Sequence, residues 1–174
     1  MPHFSAERSI IARQIANRLA ELYVTIHRKR TPITGWETVP TGHKQDISPI
    51  PTTGWRPYAP GTPWGAGDHT QWFRALVTIP SDMAGETVVA LLQPGGESLC
   101  YLNGVPTQGL DGNRQEVVLA QTAKGGETFE IVLESYASPY YAYRSYDCRF
   151  PRAELAVRDN LARSFYWDVR VIHE

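Results

Sequence analysis

Cysteine is scarce in this chain. Two residues in 174, Cys100 and Cys148, are too few for a disulfide framework, and spacing alone does not say whether they meet. No run approaches the ~20 apolar residues of a membrane-spanning helix. No charged segment followed by an apolar one marks a secretory leader. A reducing cytoplasm is therefore the expected compartment. Charge of one sign is missing too: 17 Lys+Arg stand against 18 Asp+Glu, for a net charge of −1. No global field favours nucleic acid or an anionic membrane, so neither is an expected partner. The one basic run, Arg28-Lys29-Arg30, falls where an N-terminal helix is expected to end, where cations complement the helix dipole.

Signatures of catalysis are missing as well. His3, His27, His43, His69 and His173 have no second ligand at His-x-His, His-x-Asp or His-Glu-x-x-His spacing, so no metal site is expected in this chain. Gly65-Ala66-Gly67 lacks the third glycine and the strand-to-helix context of a dinucleotide loop, and reads as a turn. There is no Gly-x-Ser-x-Gly, and no base stands beside either cysteine. Glu130 and Glu134 share one face of a strand, but beside Phe129, Ile131 and Leu133 that face reads as solvated rather than as an acid pair.

What is present divides into four stretches. Residues 1–30 read as an amphipathic helix, with Ile11, Ile15, Leu19, Leu22 and Ile26 on one face and Ser5 as N-cap. Such a helix is marginal alone and needs a surface to dock on. Residues 31–70 hold seven prolines (Pro32, Pro40, Pro49, Pro51, Pro57, Pro60, Pro63), which exclude long helices and central strands. Trp36, Trp55, Tyr58 and Trp64 are interleaved with them. That aromatic content predicts an extended segment wrapping a folded domain rather than a disordered linker. Residues 71–157 read as short strands. Phe73, Ala75, Val77 and Ile79 alternate, Thr87–Leu92 is an apolar run, and Asn103-Gly104 is a hairpin signal. Asp111-Gly112 marks a further turn, and Phe129, Ile131 and Leu133 alternate again. Strands of this length between Gly/Pro turns predict a mainly β fold, an antiparallel sandwich or jelly roll. Residues 158–174 return to helical spacing, with Asp159 or Asn160 as cap and Leu161, Phe165, Val169 and Ile172 on one face. The chain stops at Glu174 with no Gly or Pro after that helix, as if cut in mid-structure.

Aromatic side chains are the candidate contact residues. Tyr140, Tyr141, Tyr143 and Tyr146 crowd one segment with Tyr136, and Trp55, Tyr58 and Trp64 lie in the Pro-rich stretch. Flat apolar rings with a polar tip suit protein interfaces and stacking on sugars. Interface, carbohydrate contact and plain packing all stay open for these seven. Trp72 and Phe73 read as core.

Taken in order, these stretches resemble the N-terminal region of glycoside hydrolase family 38 α-mannosidases, in their cytosolic and bacterial branch. The resemblance is carried by Pro63-Trp64-Gly65, Thr70-Gln71-Trp72-Phe73-Arg74 with Val77-Thr78-Ile79-Pro80, and Gly96-Glu97-Ser98-Leu99 with Tyr101-Leu102-Asn103-Gly104. Gln108-Gly109-Leu110-Asp111-Gly112 and Phe129–Glu134 continue it, and Glu154–Val157 with Phe165–Val171 closes it. It implies a galactose-binding-like jelly roll in front of a catalytic barrel in a longer chain. It also implies retaining hydrolysis of α-mannosides there, with a zinc-like divalent metal. The family's metal-binding His-x-Asp motif is missing here, so no catalytic or metal residue carries over. The expected role is a non-catalytic domain that braces the barrel and shapes substrate access. Two alternatives are an independent module binding mannose-containing glycans and a helix-capturing interaction domain. Oligomeric state is not legible.

Overall fold

A computed structural model describes residues 3–42, 49–65, 68–138 and 148–173, with the side chains of 3–9 and 173 left aside. Helix α1 (His3–Thr25) leads into β1 (His27–Pro32), β2 (Glu37–Gly42), β3 (Arg56–Pro57), β4 (Pro63–Trp64) and β5 (His69–Thr78). Then follow β6 (Val88–Gln93), β7 (Glu97–Leu102), β8 (Val105–Leu110), β9 (Glu116–Ala120) and β10 (Thr128–Ala137). The last elements are β11 (Cys148–Arg149), β12 (Arg152–Arg158) and α2 (Asn160–His173). A four-stranded sheet in the order β1-β12-β6-β9 faces a six-stranded sheet in the order β3-β2-β5-β10-β7-β8, and every pairing is antiparallel. The result is the expected mainly β sandwich of jelly-roll type with one helix at each end.

Alternation places the core. Phe73, Ala75 and Val77 point inward from β5 with Ile79 just after it, Ile131 and Leu133 from β10, and Val88, Ala90 and Leu92 from β6. The Asn103-Gly104 signal is a tight turn joining β7 to β8, with both residues at positive φ (50° and 77°), the geometry that a two-residue hairpin requires. Asp159 caps α2 as expected: its Oδ1 accepts the Ala162 N–H at 2.9 Å.

Three expectations need correction. The first helix stops at Thr25, and Arg28-Lys29-Arg30 lies in edge strand β1, paired with β12 around a bulge at Lys29, whose φ is +47°. Those cations reach Glu86, Asp82 and Glu154 at 3.7–3.9 Å instead of a helix end. The sandwich therefore begins at His27, well before residue 71, because backbone pairing with β12 outweighs the polar character of the run. Next, the face of β10 that carries Glu130 and Glu134 is not simply solvated. Val132 is fully buried there with Trp72 and Tyr101, under Val39, Ile50 and Trp55 of the Pro-rich segment. Finally, α1 docks on α2 rather than on the sandwich, with Tyr23 and Tyr166 rings 5.1 Å apart. Ile11 stays 55% exposed, and Ile26, buried, lies beyond the helix end.

Candidate functional site

The described part of the Pro-rich segment contributes β2 and β3 to the six-stranded sheet and β4 to the pair with β11, and its aromatics pack against the core. Trp36 is buried, edge-on to Phe150 at 4.9 Å, and its Nε1–H donates to the Ile33 carbonyl. Trp64 is only 4% exposed: its ring meets Phe73 edge-on at 5.3 Å and its Nε1–H donates to the Pro94 carbonyl at 2.8 Å. A ring so enclosed offers no face to a ligand, so Trp64 is a packing residue. Gly95 and Gly96 let neighbouring backbone approach closely beside Trp64. A Cβ on Gly95 (φ +91°) would sit 2.0 Å from the Arg149 carbonyl oxygen, and one on Gly96 would sit 2.4 Å from that of Tyr136.

Tyr58 is half-buried against Phe73 at 4.9 Å, and its hydroxyl donates to the Thr62 carbonyl at 2.6 Å. Burial pushes its phenol up to about 12, although a backbone contact at Phe150 and the Arg149 charge pull the other way. Trp55 covers the Trp72–Tyr101–Val132 cluster. Its Nε1–H donates to the Pro51 carbonyl, and the Arg74 guanidinium lies 4.4 Å from its ring centroid, itself held by Glu37 at 2.7 Å. One indole face is thus already taken by a cation. Tyr140, Tyr141, Tyr143 and Tyr146 lie outside the described residues. The fold brings Tyr58 and Trp64 together around Phe73 and sets Trp55 on the outer face of the six-stranded sheet.

The other notable feature is a cavity of about 490 Å³ where both helices leave the four-stranded sheet. Tyr23 of α1 and Trp167 of α2 stand on its wall, with Arg30 of β1, Arg152 of β12, Arg163 of α2 and Arg114 of the turn before β9. At its edge lies Glu116, the first residue of β9. Its Oε2 meets His27 Nε2 at 2.6 Å, and its Oε1 accepts from Arg158 Nη1 at 2.6 Å and faces Arg163 Nε at 3.3 Å. Burial works to raise this carboxyl, but the His27, Arg158 and Arg163 contacts outweigh it and hold it below its ordinary 4.5. The carboxylate ties β1, β9, β12 and α2 to one point. Sequence reasoning missed this constellation because its members come from four separate elements; the density of arginine after residue 150 is the only linear trace.

Among the described residues, no three of His, Cys, Asp and Glu converge as a metal would need. Cys100 and Cys148 are both buried and are not joined in a disulfide, and burial pushes the Cys100 thiol up to about 12. No helix among the described residues is long and apolar enough to cross a membrane.

Comparison with known proteins agrees with this geometry. Residues 26–151 match the family described as the α-mannosidase jelly roll domain. Alpha-mannosidase G of Dictyostelium discoideum is 24% identical over 131 residues, which covers 66% of this chain but 12% of that protein. β-Glucuronidase 2 of Bacteroides uniformis shares the fold with a TM-score of 0.54 at 15% identity, over 75% of this chain and 18% of its own. The β-glucuronidase of Faecalibacterium prausnitzii gives 0.53 at 14% identity, over 77% and 32%.

Proposed function

This chain belongs to the α-mannosidase jelly roll domain family, and we propose that it serves as the non-catalytic N-terminal domain of an α-mannosidase-like glycosidase, bracing a catalytic barrel. One observation carries the reading: an apolar stripe on α2 that no described residue covers. Leu161 is 81% exposed, Phe165 58% and Ile172 84%, and the 161, 165, 172 spacing puts all three on one side of the helix. Covering them would contribute roughly 4–9 kcal/mol before ordering costs. The matched relative extends far beyond the stretch it shares with this chain, so a partner from the same longer protein has the right chemistry and proximity. In that setting the barrel, and not this domain, holds the divalent metal and the mannose-containing substrate. Two buried cysteines that form no disulfide support a cytoplasmic location.

The test is to produce the longer protein with L161S/F165S/I172S together. Loss of solubility or of α-mannosidase activity, with this domain still folded by its own near-UV signal, is the expected result. Unchanged melting and activity would refute the bracing role.

A further inference from the structure

The cavity at the helix bases carries more positive charge than the fold uses. Five arginines stand in or beside it (Arg30, Arg114, Arg152, Arg158 and Arg163), against the carboxylates of Asp111, Glu116 and Glu154. Arg114 is spent on Asp111, with two nitrogens on one oxygen at 2.6 and 3.1 Å. Arg158 and Arg163 converge on Glu116. Arg152 is different: its Nη2 donates only to the neutral Gln115 side chain, and its Nε is buried with no acceptor among the described residues. Arg30 comes no closer than 3.9 Å to Glu154. A buried guanidinium N–H without an acceptor is costly, and an oxyanion is the group that satisfies it best.

The surroundings narrow the ligand. Tyr23 and Trp167 are 46% and 40% exposed, so aromatic surface borders the basic floor. Asn113, whose side chain is uncommitted in the described contacts, adds a neutral hydrogen-bonding group on the rim. A charged recess with aromatic edges and an amide suits a compact hydroxylated ligand that bears one carboxylate or phosphate. We propose that this cavity is a binding site for a small sugar-type oxyanion, a sugar acid or sugar phosphate, with Arg152 and Arg30 as its principal contacts. The site lies on the four-stranded sheet, apart from the Leu161–Ile172 stripe, so it does not depend on the bracing role.

The 174-residue protein, titrated at low salt, provides the test through the arginine Nε–H signals in ¹H–¹⁵N spectra. The probes are glucose 6-phosphate, gluconate, inorganic phosphate and neutral glucose. A saturable shift of the Arg152 signal with glucose 6-phosphate or gluconate, absent with glucose and weakened by added salt, is expected. R30Q, an exposed edge-strand change, should weaken binding about tenfold, and R152Q at least as much. R30Q keeps the test intact if R152Q does not fold. Silence of Arg152 with every anion, or binding indifferent to R30Q, would overturn the site. Glucose 6-phosphate binding no more tightly than inorganic phosphate would overturn the sugar-bearing part of the assignment.

Discussion

Replacing Glu116 with Gln keeps the size of the side chain and removes its charge from under His27, Arg158 and Arg163. The Glu116 side chain is 18% exposed, Arg158 10% and Arg163 43%. Breaking one partner out of a buried ion pair costs about 3–5 kcal/mol. Two things reduce that figure here: Arg163 is substantially solvated, and the Gln carbonyl still accepts one hydrogen bond. A loss of about 2–3 kcal/mol results, or about 4–12 °C in melting temperature for a domain of this size. Urea unfolding monitored by tryptophan fluorescence reads the first quantity, and calorimetry the second. The pH dependence adds a check. The folded carboxyl is held below its unfolded value of 4.5, so its stabilisation is complete above about pH 4.5 and is lost as pH falls through the lower folded value. The gap between wild type and E116Q should therefore close in acid. A loss under about 0.5 kcal/mol at pH 7, or a gap that stays constant from pH 7 to pH 3, would refute the clamp.

Trp64→Ala should cost about 3–5 kcal/mol, since it opens the core beside Phe73 and orphans the Pro94 carbonyl; a protein that unfolds at the wild-type urea midpoint would contradict its buried position. Trp55→Ala, by contrast, strips only an outer cover and a cation–π contact, so a milder loss of about 1–2 kcal/mol is expected in the same assay. Gly95→Ala forces a methyl against the Arg149 carbonyl at positive φ and should leave little soluble folded protein, which expression and circular dichroism would check. Cys100, buried with its thiol pushed up to about 12, should remain unlabelled by iodoacetamide at pH 8 in the native state and react in urea, as read by peptide mass spectrometry.

Where the fold was legible, local chemistry and tertiary context agreed. The alternation of Phe73 to Ile79 and of Phe129 to Leu133 is a backbone property, and the core took those faces. Asn103-Gly104 and Asp159 act within a few residues of themselves, so their roles survive any packing. Strand β1 was illegible because Arg28-Lys29-Arg30 has no apolar face; its place comes from the ladder that β12 offers. Burial of Trp72 and Val132 on the far side of the six-stranded sheet depends on Trp55 and Ile50 folding back over them. Neither strand announces such a cover. Of the candidate aromatics, Trp64 and Tyr58 proved to share a neighbour, Phe73, that periodicity had assigned to the core. The arginine cavity escaped notice because its lining is drawn from β1, β12, α2 and the turn before β9, and no linear window spans them.

Strands β1 and β12 lie side by side, and His27, where the chain enters β1, pairs with Arg158, where it leaves β12. A tensile force applied through the two helices would therefore load this ladder at its end, one rung at a time, rather than shear all rungs together. Mechanically that is a zipper and not a bolt. Its first rung is His27↔Arg158, and both of those side chains grip the Glu116 carboxylate. The domain's resistance to being pulled open thus rests on a few contacts at one corner, whatever the thermodynamic stability of the sandwich behind it.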